Sequence, residues 1–443
     1  MSKAKMALRI SAMSAVGALA LGALTVGTVA PAAAASDVTL TIWTFGDVIQ
    51  PALVREYKTL HPEVTLQIKK SDLDPLNGTN MVTACTAGNG PDIAAVEVSY
   101  SGYWRSYPKC FTDLRTLKTT DGGKSATTIR PDYLPWRWEQ GVGYDDSVIG
   151  IPTDVGGLEV AYRVDLFKKA GLPTDRVKVG KMWPTWDKFI NVGRKYMAKL
   201  SKAEKKAGKG FMDNSGTIYS AILNQGTEKY YKNDGSDSGQ LVYSTNKQVK
   251  TAWDTTIKAL NAGIGTRIGQ FTADWNVGMT KGTFATILAP AWMMDYIKAQ
   301  APDTKGKWDI ASIPGGGGNQ GGTQLTIPAS AKNKQAAWDF MTWYLAPEQQ
   351  LKVFKIYGLF PSTPALYSDP AVLDYKDPFF NNAPVGKIYS TGVKKLKPIF
   401  EGKLNRAIDQ AFGAGLGRVA SKKEKPEAAW ASTLAAIKKV VGK

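Results

Sequence analysis

One histidine stands in the chain, His61, and it precedes Pro62 where a helical pattern runs out. A surface turn accounts for it better than catalysis, and without it no Ser-His-Asp triad can be built. No G-x-S-x-G nucleophile elbow occurs. Zinc needs clustered histidine or cysteine, and the chain has no such cluster. The stretch "PGGGGNQGG" lacks the lysine and hydroxyl residue of a phosphate-binding loop and opens no helix, so it reads as a flexible loop. A glycosidase needs only two carboxylates flanking the scissile bond. Asp92, Glu97 and Asp154 lie near strand ends and keep that reading open, although a turn or cap explains Asp92 equally simply. The chain is rich in aromatics, with 13 Trp, 18 Tyr and 14 Phe. Trp43, Phe45, Trp104, Trp275 and Trp292 fall at element ends or loops rather than in helix stripes. A flat apolar face with a polar edge suits the CH-rich faces of sugars, with carboxylates and amides accepting from hydroxyls. Core packing explains each single tryptophan as well.

The elements that must position these groups alternate strand with helix nearly throughout, which predicts α/β architecture with largely parallel sheets. "VTLTIW" alternates apolar and polar residues as a half-buried strand does. The helix "PALVREYKTLHP" follows, then the strands "VTLQIK", "PDIAAVEV", "VIGIP" and "LEVAYR". Asp165 is a candidate cap for "LFKKAG" and Thr185 for "WDKFINVGRKYM", with Gly171 and Gly263 as helix stops. Stripes such as Val249, Trp253, Ile257 and Leu260 are core faces. "GTFATILAPAWMMDYI" reads as a buried strand, a proline break and a helix.

Residues 1–35 read as a secretory signal peptide: Lys3, Lys5 and Arg9, an uncharged apolar run, then "PAAAAS" as the cleavage site. The remainder, roughly 408 residues, exceeds what one core organises, so two lobes are expected. In an oxidising compartment Cys85 and Cys110 read as one disulfide, closing a loop of about 25 residues and contributing roughly 3 kcal/mol. The net charge is +18, of which the leader carries three, leaving about +15. The lysines are dispersed over helices rather than interleaved with aromatics, so a solvated basic surface is expected and nucleic acid is not.

In their order after the leader, "LTIWTFG", "YKTLHPEVTLQI", "GNGPDIAAVE", "IGIPTDVGGLEVAYRVDLFKKAGLP", "WPTWDKF", "ATILAPAWMMDY" and "GGTQLTIPASAKNKQAAWDFMTWYL" resemble the extracellular solute-binding proteins of ABC transporters, in the group that carries carbohydrates. Each segment alone is weak; seven in family order are specific, and together they span essentially the mature chain. The resemblance implies a two-lobed α/β fold with a mixed sheet in each lobe, a hinge, and a ligand cleft between the lobes. Residues 36–150 and 286–340 would form the first lobe, and 151–285 and 341–443 the second. Chain crossings would fall near 150–154 and 285–291. Carried onto matching positions, the ligand would meet Trp43, Thr44, Phe45, Asp154 and Trp292 and, by looser analogy, Glu97, Trp275, Gly322 and Gln324. No bond would be made or broken, and no cofactor or metal is implied. The partners would be a carbohydrate, with the aromatic abundance favouring an oligosaccharide, and a membrane permease; the protein would be a monomer. A secreted glycoside hydrolase, or the same fold binding a non-sugar solute, is the alternative. One departure is that no cysteine stands near the cleavage site to carry a lipid. The protein is therefore expected to be exported, periplasmic or at the cell surface, without a lipid anchor.

Overall fold

The computed structural model describes residues 37–442 apart from Asp237. The leader expected at residues 1–35 lies outside the described residues. Among the described residues no helix is long and apolar enough to cross a membrane.

Two sheets organise the chain. The first has the order β2-β1-β3-β11-β4, with β1 Val38–Thr44, β2 Val64–Lys70, β3 Ile93–Glu97, β4 Ile151–Pro152 and β11 Thr323–Thr326. β1 lies parallel to both β2 and β3, whereas β11 runs antiparallel to β3 and β4. The second has the order β10-β5-β9-β6, from β5 Leu158–Arg163, β6 Gly210–Met212, β9 Phe284–Pro290 and β10 Trp308–Ala311. Here only β6 and β9 are parallel. A short ribbon pairs β7 Tyr231–Lys232 with β8 Gln240–Leu241. Strand–helix alternation predicted largely parallel sheets; the sheets are mixed instead. In the first sheet the reversal is made by β11, which arrives from the second sheet and runs antiparallel to both β3 and β4.

Burial follows from this layering. In β1 the alternation holds: Leu40 and Ile42 are buried against Leu53, Tyr57, Trp338 and Phe340. β5 and β9 are buried at every position, because helices cover both faces of the second sheet. Leu158, Val160 and Tyr162 pack with Phe189, Phe211 and Trp253, while the neighbouring Ala161 packs with Trp275, Phe284 and Trp308. That two-sided burial is why "ATILAP" reads as a continuous apolar run rather than an alternating one. The Thr185 cap holds, its hydroxyl accepting from Lys188 N at 3.4 Å, and Gly171 and Gly263 end their helices at φ +71° and +62°. Asp165 lies inside the first turn of helix Val164–Lys169 and pairs with Arg163 at 2.6 Å; Arg163 takes the cap position.

Three segments run side by side between the two sheets. Residues 153–157 leave β4 for β5, residues 312–322 return from β10 to β11, and residues 358–363 cross once more. Val155 N donates to Phe360 O, Leu158 N to Gly318 O and Gln320 N to Gly156 O, at 2.7–2.9 Å. Their backbones touch so closely that a Cβ on Gly156 would sit 1.9 Å from Gln320 O, which fixes glycine there. Crossings are expected from the sequence near 150–154 and 285–291. Residues 151–152 still pair in the first sheet as β4, and the chain leaves it at 153–157; β9 belongs to the second sheet along its whole length, so residues 285–291 stay on that side and the return occurs at 312–322. The boundary expected at residue 340 falls inside helix Lys334–Tyr344, which packs as a whole on the first sheet. Cys85 and Cys110 form a disulfide with 5.2 Å between Cα atoms, tying helix Met81–Ala87 to the turn Pro108–Cys110.

Candidate ligand cleft

The C-terminal ends of β1, β2 and β3 open onto one cavity of about 1490 Å³, lined by Phe45, Ser71 and Glu97 on that side. Asn214 after β6 and Trp292 after β9 line the opposite wall, and the crossing residues Asp154 and Gly322 form its floor. Carboxyl ends of strands are where open α/β sheets gather ligands, because loops there diverge and leave a crevice.

One part of the cleft is aromatic. Trp292 precedes helix Met293–Gln300 and its Nε1 donates to Gln320 O at 2.9 Å, anchoring the ring to the crossing segment. Phe271 lies 6.2 Å from it, nearly parallel at 28°, and meets Tyr296 edge-on at 5.3 Å. Phe271 is 52% exposed and holds φ at +65°, a left-handed conformation that a bulky residue adopts only where its surroundings impose it. Asp295, half-buried beside Trp292 and Tyr296, has no hydrogen bond or ion pair among the described residues. Burial, reinforced by Asp47 against the opposing pull of Lys298, pushes its carboxyl up to about 6.

Another part of the lining is ionic. Glu97 accepts from Ser99 N at 2.9 Å and from the Ser99 hydroxyl, and burial raises its carboxyl. Lys229 Nζ lies 3.0 Å from Glu401 Oε1, both nearly buried; burial pushes Glu401 up to about 7, although Lys229 draws it down. Arg406 reaches both oxygens of Asp74 at 2.7 and 2.9 Å, joining helix Asn405–Ala420 to the segment after β2.

The expected site residues divide. Phe45, Glu97, Asp154, Trp292 and Gly322 line the cavity. Asp154 is 5% exposed, and its Oδ1 is committed to Thr323 N at 3.2 Å and the Thr153 hydroxyl at 2.6 Å. Gly322 has φ +113°, and a Cβ there would come 2.7 Å from Arg137 Nη2. Trp43, Thr44, Trp275 and Gln324 do not line it. Trp43 sits on the opposite face of β1 from Leu40, against a satellite core of Met81, Val96 and Trp104, with Lys69 Nζ 5.5 Å from its ring centroid. Thr44 is fully buried by the strand alternation, its hydroxyl donating to Phe45 O. Trp275 is fully buried as well, its indole N–H donating to Asp213 Oδ2 at 3.0 Å. Gln324 turns away and donates to Arg137 O at 2.9 Å. Sequence reasoning missed Phe271, Asp295, Tyr296, Lys229, Glu401 and Arg406. The signal for two of them was present: Asp295 and Tyr296 stand three and four positions after Trp292, on one helix face. Phe271 had none, since no residue type announces a forced left-handed phenylalanine.

Residues 52–380 match the family described as bacterial extracellular solute-binding protein. The chain belongs to that family. Members of this solute-binding family bind rather than transform their solutes. The chain is 26% identical to a lactose-binding protein of Rhizobium radiobacter over 402 residues, covering 86% of this chain and 88% of the relative. It is 25% identical to an arabinooligosaccharide-binding protein of Bacillus subtilis strain 168, covering 82% of each. Among solved structures, a family 1 extracellular solute-binding protein is similar at TM-score 0.74 and 34% identity, over 90% of this chain and 98% of that one. The binding protein of B. animalis subsp. lactis Bl-04 in complex with β-1,6-galactobiose shares the fold at TM-score 0.73 and 20% identity, over 91% and 97%.

Proposed function

We propose that this extracellular solute-binding protein is the exported receptor of a carbohydrate ABC importer, that it takes an oligosaccharide in its cleft, and that it hands it to a membrane permease. The observation that carries this is the pairing of an exposed, conformationally forced Phe271 and Trp292 with an unpartnered carboxylate, Asp295, on one wall. Aromatic faces take the apolar face of a pyranose or furanose, and the carboxylate accepts from its hydroxyls. A cavity of about 1490 Å³ exceeds the few hundred Å³ typical of small-ligand pockets, in keeping with several sugar rings. Relatives named for lactose, arabinooligosaccharides and galactobiose point to the same class.

The lobes we assign follow the sheets: residues 37–152 and 323–357 form one, and residues 153–322 and 358–442 the other. Bending of the three crossing segments closes the cleft over the ligand, and the closed form is the one the permease engages. Closure is favoured only as far as the ligand prefers the closed state. No bond is cleaved, since Asp154 and Glu97 are both held by backbone and hydroxyl donors rather than poised across a substrate. The receptor works as a monomer without cofactor or nucleic acid.

A thermal-shift screen of the purified protein over neutral oligosaccharides, polyamines and metal chelates tests the reading. Ligand at a hundred times Kd adds about 2.7 kcal/mol of stability. A shift with oligosaccharides alone, with the saccharide recovered intact, is the expected result. A shift only with polyamines or chelates, or cleavage of the saccharide, overturns it.

A further inference from the structure

The chain carries a net charge of +18, yet among the described residues seven carboxylates line its cleft against five cations. Asp295 has no hydrogen bond or ion pair among the described residues, and Asp47, whose charge reaches it along with that of Lys298, is already paired with Lys70. In the ionic part of the lining, Glu97, Glu401 and Asp409 gather around the ammonium of Lys229, and Arg406 acts on Glu97 as well. Arg406 is also bound to both oxygens of Asp74, and Tyr230 donates to Asp409 at 2.6 Å. One buried acceptor there, Glu401 Oε2, has no donor among the described residues. Glu401 is only 7% exposed, so an unfilled lone pair on it costs free energy until something donates to it. The other cations of the lining, Arg267, Lys397 and Lys422, are solvent-exposed, where water and salt screen them.

Resting on the sugar-binding reading, we propose that the cleft is donor-selecting: it takes neutral oligosaccharides, whose rings offer hydroxyl donors, and rejects those carrying uronate carboxylates. An incoming uronate would meet Asp295 on one wall and the acid-rich group around Glu401 on the other, in a crevice that dampens charge less than open water does. The exterior charge would by itself draw anionic sugars, so the cleft reverses the preference that composition alone suggests. The groups facing Glu401 are Lys229, Asp409 and Glu97, with Arg406 and Asp74 beside them; those facing Asp295 are Asp47 and Lys298. Because burial brings Glu401 and Asp295 close to neutral pH, protonation below about pH 6 removes part of the rejection.

The test is calorimetric titration of the purified protein with neutral di- to tetrasaccharides and with the same series oxidised to uronates, at pH 7.5 and 5.5. Neutral ligands are expected to bind at least about tenfold tighter than their uronate counterparts at pH 7.5, with the gap narrowing at pH 5.5. Asp295→Asn should narrow the gap at pH 7.5, and Glu401→Gln should do the same from the ionic side. Uronates binding as tightly as neutral sugars, or a gap that neither pH nor Asp295→Asn moves, overturns the selection while leaving sugar binding intact. Failure of every saccharide to bind overturns the underlying reading, and this one with it.

Discussion

Phe271→Ala isolates the aromatic wall. Phenylalanine buries roughly 150–250 Å² when covered, so its 52% exposure leaves about 100 Å² open in the unliganded cleft. A sugar ring covers one face, about 50 Å², which contributes about 1.3 kcal/mol at 25 cal/mol/Å². Taking the increment measured for stacked aromatic pairs, roughly 0.5–1.5 kcal/mol, as a guide, the total is about 2 kcal/mol, or some 30-fold in Kd. Calorimetry with the best saccharide of the screen reads this directly. The backbone supplies an internal control. Alanine at φ +65° retains a left-handed penalty of about 1–2 kcal/mol that glycine escapes. Phe271→Gly should therefore lose the same affinity yet melt above Phe271→Ala when unliganded. An alanine variant that binds within threefold of the wild type would refute the platform and make Phe271 an incidental surface residue.

Two further predictions concern the frame. Arg137 is fully buried and donates to Asp154 O at 3.0 Å and Thr323 O at 3.1 Å, bracing two crossing segments. Arg137→Met strips the cation that offsets the burial of Asp154, and breaking such a pairing costs about 3–5 kcal/mol, to be read by urea unfolding; a loss below about 1 kcal/mol would contradict the brace. Glu159 is held protonated up to about 8 by burial, while in the unfolded chain it ionises near 4.5. Between those values the folded state binds more protons than the unfolded one, so stability falls as pH rises. Glu159→Gln should flatten that slope and gain on the wild type at pH 8 relative to pH 5; parallel slopes would refute it.

Much of the framework was legible in the sequence. β5 was read as "LEVAYR" and spans Leu158–Arg163, and the Thr185 cap and Gly263 stop stand where their residue types placed them. These are local events, fixed by side chains within a turn or two of backbone. The break between two strand patterns at "IPTDVGG" was legible too. The ligand-facing residues were less so. Trp43 and Thr44 follow the strand alternation faithfully, but alternation states only that they face opposite sides, not which side meets the cleft. Trp275 looked like a ligand tryptophan and is core, because Asp213, sixty-two positions away, supplies its indole acceptor.

By itself the sequence determined most of the elements, several of their caps and stops, the disulfide pair, and the resemblance that placed the chain among solute-binding proteins. The tertiary structure decided the rest: that β9 stays with the second sheet, that Phe271 and not Trp43 is offered to the cleft, and that Lys229, Glu401 and Arg406 gather along its ionic wall. The physical reason is range. Helix caps and strand periods depend on neighbours a few residues apart, whereas a cleft wall is made where segments hundreds of residues apart are packed together, as Asp74 and Arg406 are across 332 positions.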